Sequence, residues 1–303
     1  MPKYLLLIYC LVILCINTSL SPRNVSPAFK KSGQGKTVHD SKENSLQKNN
    51  PKENIYQIVN NAARRYRIKT IVIDAGHGGK DPGTLGKRTK EKNITLRVAL
   101  ELGRIIKRNM PRVKIIYTRT TDKFVELYRR TEIANNAKAD LFISIHCNAA
   151  PRKARNRAKA HGAETYIMGN HVSEANLAIA RRENASIFLE RNYKKNYGGF
   201  NPNSPQSYIL LSMNQQVHMK HSLNLARKID WEIRNKVRRS TRGVKQAGFY
   251  VLARTAMPSV LVELGFLSNP AEERYLNDAL GQIYMASAIF RAFRAYKKEL
   301  EAR

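Results

Sequence analysis

The sequence predicts an α/β domain: a mostly parallel central sheet of about six strands, flanked by helices on both faces. Three observations lead there. Short runs rich in β-branched residues recur from Ile68 onward, and the segments between them carry apolar residues at helical spacing. Several of the runs, Leu141-Phe142-Ile143 above all, are apolar nearly throughout, as strands covered on both faces must be.

The chain opens differently. Lys3, the apolar stretch from Tyr4 to Ile16 and the polar tail Asn17-Thr18-Ser19-Leu20-Ser21 describe a secretory signal over residues 1–21. The protein is therefore expected to be exported, to a periplasm or the cell envelope. Val12-Ile13-Leu14 lacks the small residues that precede a lipid-modified cysteine, so Cys15 is not read as an anchor. Residues 22–67 are rich in Ser, Asn, Lys and Pro without apolar periodicity, and read as a disordered linker. Residues 68–298 form the single domain and 299–303 a tail.

Within the domain the predicted strands are Ile68–Asp74, Val113–Thr118, Leu141–His146, Glu164–Met168, Gly248–Leu252 and Ser259–Leu264. Ile94, Val98, Leu102 and Ile105 share one helical face, and Leu225, Ile229, Ile233 and Val237 another. Between the fourth and fifth of these strands lies a long insertion, residues 170–245. There Leu177, Ala180, Asn184 and Ile187 share a face behind a capping Ser173, before a turn-rich loop, Tyr197-Gly198-Gly199-Phe200 onward.

Charge narrows the partners. Lys+Arg number 54 against 23 Asp+Glu, a formal charge of +31, which favours polyanions and says nothing about fold. Nucleic acid is not the expected partner, because an exported protein leaves its compartment and no nucleic-acid motif is present. Beyond the signal no apolar run reaches the ~20 residues of a membrane span, so no stable span is expected. Cys147 is the one cysteine past the signal; it follows an apolar run and reads as a buried, inert thiol in a monomer without disulfides.

Three chemically capable residues stand at predicted strand ends: His77 in Asp74-Ala75-Gly76-His77-Gly78-Gly79, His146 after Phe142-Ile143-Ser144-Ile145, and Glu263 in Val262-Glu263-Leu264-Gly265. Open α/β sheets bind ligands beyond the carboxyl ends of their strands, so the three can converge. Two histidines and one carboxylate suffice for a catalytic zinc, but spacing does not say which carboxylate.

Gly76-His77-Gly78-Gly79-Lys80-Asp81-Pro82-Gly83, Glu91-Lys92, Ser144-Ile145-His146-Cys147-Asn148-Ala149 and Glu263-Leu264-Gly265-Phe266-Leu267-Ser268-Asn269, in that order, resemble the zinc-dependent N-acetylmuramoyl-L-alanine amidases. Tyr117-Thr118-Arg119, Leu127 with Arg130, Ala134-Asn135 and Ala139-Asp140 fit between them. The resemblance implies a zinc hydrolase/phosphorylase-like fold and one Zn2+ held by His77, Glu91 and His146. It implies Glu263 as the catalytic carboxylate, and cleavage of the amide between N-acetylmuramic acid and L-alanine of peptidoglycan, in wall turnover and daughter-cell separation. Arg182-Glu183-Asn184-Ala185 resembles the regulatory helix of the division-associated members, in which a glutamate occupies the zinc until a LytM-type activator displaces it. Glu183 is the first candidate for that role, with Glu174 and Glu190 behind it.

With the chain ending at Arg303, no C-terminal wall-binding domain is expected, and the basic run Arg152, Lys153, Arg155, Arg157 and Lys159 could serve in wall attachment. Competing readings are an exported zinc peptidase, sharing the water activation, and a non-catalytic binding module of the wall or division machinery. The second has no need of both histidines, Glu91 and Glu263.

Overall fold

The computed structural model describes residues 67–302, apart from 170–172 and 213–216; the expected signal and almost all of the linker lie outside the described residues. Six strands form one sheet in the order β2-β1-β3-β6-β4-β5. They are β1 (Thr70–Ala75), β2 (Lys114–Tyr117), β3 (Leu141–Asn148), β4 (Ala163–Met168), β5 (Thr241–Ala247) and β6 (Ser259–Phe266). Every neighbouring pair is parallel except β4 with β6. The expected α/β architecture is the observed one.

Every residue of β3 and β6 is buried, because helices cover both faces. On one face lie α1 (Glu91–Asn109), α6 (Met219–Asn235) and α9 (Ala279–Glu301), with α9 packed against the other two. Ile94, Val98, Leu102, Leu225, Ile229 and Phe293 are fully buried there with Ile71, Ile143 and Val260. The continuation of the α1 stripe is Ile106 rather than Ile105, one full turn after Leu102; Ile105 is only half-buried. Val237 lies beyond the end of α6 and is partly buried against the same core. The other face carries α2 (Leu127–Asn136), α3 (Glu174–Asn184), the short helices α4 (Tyr193–Asn196) and α5 (Pro205–Ser212), and the single turn α7 (Tyr250–Ala253). After β6, α8 (Pro270–Asn277) leads into α9.

The structure corrects three expectations. Gly248–Leu252 is not a strand: the fifth strand is Thr241–Ala247, a polar, half-buried edge, and the apolar run after it forms α7. Tyr250, Val251 and Leu252 are buried because that turn packs on β4, β6 and α2; composition reported burial, not extended backbone. The insertion 170–245 also mixes separate things. Its α6 is a core helix and its last residues belong to β5, so only the stretch from α3 to α5 covers the strand ends. Finally, residues 299–301 are not a tail but the last turn of α9, where Glu301 accepts a hydrogen bond from the Ile68 amide at 2.9 Å and pairs with Lys297. Among the described residues no helix is long and apolar enough to cross a membrane.

Candidate metal centre

Four side chains from four elements meet beyond the carboxyl ends of β1 and β3. His77 follows β1, Glu91 is the first residue of α1, His146 lies near the end of β3, and Glu183 comes down from α3. One nitrogen or oxygen from each lies within 4.8 Å of all the others, and all four side chains are buried. His77 Nε2 is 3.1 Å from Glu91 Oε1 and 3.0 Å from Glu183 Oε2; His146 Nδ1 is 3.1 Å and 3.0 Å from the same two oxygens.

Local backbone makes this approach feasible. His77 itself adopts a left-handed conformation, φ 59°, in the turn that leaves β1. A Cβ on Gly76 would lie 2.4 Å from the His146 ring, and one on Gly83 would lie 2.6 Å from both Glu91 Oε2 and the His77 ring. The glycines of this loop are therefore what lets ring and carboxylate close on one point.

His77 and Glu91 are oriented from behind. His77 Nδ1 lies 2.8 Å from Asp81 Oδ2, and Asp81 Oδ1 accepts from the Gly83 amide at 3.0 Å. Glu91 accepts from the amides of Thr84 at 2.7 Å and Cys147 at 2.8 Å. The loop carrying His77 is in turn gripped by two buried arginines. Arg130 pairs with Asp74 at 2.7 Å and donates to the carbonyls of Ala75 and His77. Arg119 donates to the carbonyls of Ala75, Gly76 and Lys92.

Electrostatics favour a cation at the meeting point. Burial works against charge on His77, but Glu91, Asp81 and Glu183 outweigh it and raise its pKa well above the usual imidazole value. For His146 burial is likewise outweighed, chiefly by Glu183, and the pKa rises to about 9. Glu91, despite burial, is brought down to about 2, first by His77. The cluster thus holds two anionic carboxylates against positive charge.

A divalent ion fits the donor set. Two imidazole nitrogens and two carboxylate oxygens are hard-to-borderline donors, and four atoms bound about 2 Å from a tetrahedral ion lie roughly 3.3 Å from one another. His77 Nε2 and Glu183 Oε2 are buried without a well-aligned hydrogen bond among the described residues, although they sit 3.0 Å apart. They aim at a common point more than at each other.

Glu263 stands beside this cluster, directly across the β3–β6 pairing from His146 and fully buried. Neither of its oxygens has a hydrogen-bond partner among the described residues, and its nearest cation is Arg182, Nη2 to Oε1 3.6 Å. Burial, reinforced by the Glu183 charge, pushes its pKa well up. A carboxyl that readily takes a proton is what general acid–base work requires.

The structure therefore brings together His77, Glu91, His146, Glu183 and Glu263. Glu174 and Glu190 are elsewhere: Glu174 is exposed in the first turn of α3, and Glu190 accepts from the Leu127 amide at the start of α2. Sequence reasoning did not single out Asp81, Asp74 or Arg182. Asp81 was findable, lying four residues from His77 within one glycine-rich turn; the burial of Asp74 and the position of Arg182 over Glu263 carry no sequence signal.

The family model for N-acetylmuramoyl-L-alanine amidases (Amidase_3) matches residues 71–295. The chain belongs to that family. It is 33% identical over 224 residues to the N-acetylmuramoyl-L-alanine amidase AmiA of Escherichia coli K12, covering 73% of each chain. Among solved structures it is similar to the N-acetylmuramoyl-L-alanine amidase of Clostridium difficile 630, with TM-score 0.55, 27% identity, and 76% of this chain and 97% of that one covered. The CwlD amidase of Clostridioides difficile, solved in complex with the GerS lipoprotein, is similar at TM-score 0.55 and 29% identity, over 76% and 99% of the two chains. Those neighbours share the six-stranded α/β architecture described above.

Proposed function

We propose that this chain is an exported, zinc-dependent amidase that hydrolyses the amide between N-acetylmuramic acid and the L-alanine of peptidoglycan stem peptides, in wall turnover and daughter-cell separation. The observation that carries the reading is the convergence of His77, Glu91 and His146 beside the unpartnered, buried Glu263. A zinc ion held by His77, Glu91 and His146 would supply an activated water and polarise the scissile carbonyl.

The chain's own residues do the rest. Glu263 takes a proton from the attacking water and returns it to the departing nitrogen, a role suited to a carboxyl whose burial favours the protonated form. Asp81 holds the His77 ring by its Nδ1 and so keeps Nε2 directed at the centre. Arg119 and Arg130 fix the backbone that presents His77, so that little reorganisation accompanies the reaction.

Glu183 keeps this state at rest. Its carboxylate lies between His77 and His146, where a fourth donor would complete the metal and exclude water. Opening then requires α3 to leave. A partner protein of the LytM type is one agent for that, and the lipoprotein complex of a relative supports control by a partner. The export signal and the formal charge of +31 suit an anionic envelope polymer as the substrate surface.

The test is mass spectrometry of fragments released from purified sacculi by the protein without residues 1–21, with and without a chelator, beside the Glu183→Ala variant. Free stem peptides starting at L-alanine, lost with chelator and more abundant with Glu183→Ala, are the expected outcome. Cuts within the stem peptide would point to a peptidase, and equal low activity of parent and variant would remove Glu183 from its role.

A further inference from the structure

From the contacts of Arg182 we infer that Asn148 Oδ1, the Ala149 carbonyl and Glu263 together form the subsite for the amine released by hydrolysis. The inference rests on the amidase reading above. Arg182 donates from Nη1 to Asn148 Oδ1 and to the Ala149 carbonyl, both at 3.0 Å, and its Nη2 lies 3.6 Å from Glu263. A positive nitrogen group is thus already seated, from this chain's own insertion, against two neutral acceptors and the acid–base carboxyl, while its other edge pairs with Glu183 Oε1 at 2.8–2.9 Å.

The acceptors are built in rather than accidental. Asn148 is fully buried, and its Nδ2 donates to Glu164 Oε2 at 3.0 Å. Glu164 is itself held by the Tyr166 hydroxyl at 2.7 Å and by Arg242 and Lys245, each at 2.6 Å. With its nitrogen committed to a carboxylate, the amide has to present its oxygen towards Arg182, so the subsite accepts hydrogen bonds and does not donate them. The Asn148 carbonyl is separately used by the Leu267 amide at 2.8 Å, and Asn148 Oδ1 also accepts from the Ala149 amide at 2.7 Å, which fixes the oxygen beside the Ala149 carbonyl just past the end of β3. The β3–β6 register shifts between His146 and Asn148, the kind of bulge that re-aims side chains beside active sites.

The chemistry calls for such a place. Hydrolysis adds water across the amide: the C–N bond breaks, the water oxygen ends in a carboxylate, and the nitrogen leaves with its own hydrogen and both water protons as an ammonium. The carboxylate would arise where His77, Glu91 and His146 converge, and the ammonium beside Glu263. Glu183 and Arg182, adjacent in sequence, put a carboxylate among His77, Glu91 and His146 and a guanidinium beside Glu263. The closed insertion therefore imitates the product pair, and bound product and the closed insertion exclude one another.

The test uses the full chain carrying Arg182→Ala with Glu183→Ala, titrated calorimetrically with L-alanyl-D-isoglutamate and with its N-acetylated form. At about pH 6.5 the free α-amine is protonated. A charge-assisted bond to the subsite predicts that the ammonium peptide binds about 10-fold or more tightly than the acetylated one. Adding Asn148→Leu should bring the two affinities together while metal content stays unchanged. Equal affinities with Asn148 in place would overturn the inference, and so would a preference that survives Asn148→Leu. If Asn148→Leu does not fold, the comparison of the two peptides on the double variant decides alone. Release of L-alanine-terminated peptides from sacculi by the same double variant tests the amidase reading independently, so failure of either idea is recognised separately.

Discussion

Glu263 and Asp81 illustrate how much a single position can depend on its surroundings. Glu263 is a carboxylate in an apolar strand, fully buried, with Arg182 as its nearest cation. Glu263→Gln keeps the shape and removes the proton carrier. Measured in the Glu183→Ala background, kcat should fall about 10²- to 10⁴-fold with metal content unchanged by elemental analysis. Asp81 touches His77 only through Nδ1, so Asp81→Asn should weaken metal binding about 10- to 100-fold, read by competition with a chelating dye. The histidines add a pH signature. Glu91 and Glu183 hold both imidazoles protonated to higher pH than usual, His146 to about 9, in the metal-free protein. Metal must displace those protons, so its affinity rises with pH, and calorimetry near neutrality in buffers of different ionisation enthalpy should show proton release; no dependence on the buffer would contradict this. At this scale His77, His146 and Glu263 were legible as strand-end groups. Glu91 was legible only through family resemblance, since an acid opening a helix is otherwise ordinary.

The element proposed to control activity is α3 with the turn behind it. Ser173 caps it, accepting from the Asn176 amide, and Leu177, Ala180 and Asn184 form its buried face, as the spacing predicted. What holds the segment down was not visible in the pattern. Glu190, just past α3, accepts from the Leu127 amide at 3.0 Å and thereby satisfies the N-terminus of α2, while Lys80 donates to the Leu189 carbonyl. Glu190→Ala removes that cap and the hydrogen bond from the Tyr197 hydroxyl; the cap alone is worth about 1 kcal/mol, which corresponds to roughly a fivefold larger open population. Basal release from sacculi should rise by about that factor, with metal binding unaltered; an unchanged rate would show that Glu190 serves α2 alone. The misassigned run Gly248–Leu252 belongs to the same lesson. Its Phe249 packs edge-on against Tyr166 of β4 with ring centroids 5.1 Å apart, and a helical turn buries such residues as fully as a strand does.

Across the whole molecule, stability and site geometry share one buried network at the ends of the central strands. Asp74 accepts from Arg130, Thr118 and Ser144, and Arg130 spans from α2 to the backbone of His77. Asp74→Asn leaves the Arg130 charge buried without its counter-ion, a loss of about 3–5 kcal/mol measurable by urea unfolding. The pH dependence has a definite sign. Burial pushes the Asp74 pKa up, but Arg130, the Ser144 hydroxyl, the His146 charge and the Thr118 hydroxyl bring it below its ordinary value. Its contribution is therefore fully present above the unfolded-state value of about 3.9 and is lost as pH falls through the lower folded-state value. Asp74→Asn should flatten that acid limb of the stability curve; an unaltered limb would assign it to other carboxylates.

Local pattern by itself determined the α/β class, five of the six strands and the apolar faces of the main helices, because periodicity and burial on both faces are written into neighbouring residues. The motifs around His77, Glu91, His146 and Glu263 pointed to the proposed reacting groups for the same reason: each is a short, contiguous run. Only the tertiary structure decided that Glu183, and neither Glu174 nor Glu190, reaches the histidines, that Arg182 lies on Asn148 and Glu263, and that the polar Thr241–Ala247 is the sheet's edge. Those outcomes depend on where elements distant in sequence come to rest. A charged side chain reads alike in a sequence whether it ends in water or 3.0 Å from a buried imidazole.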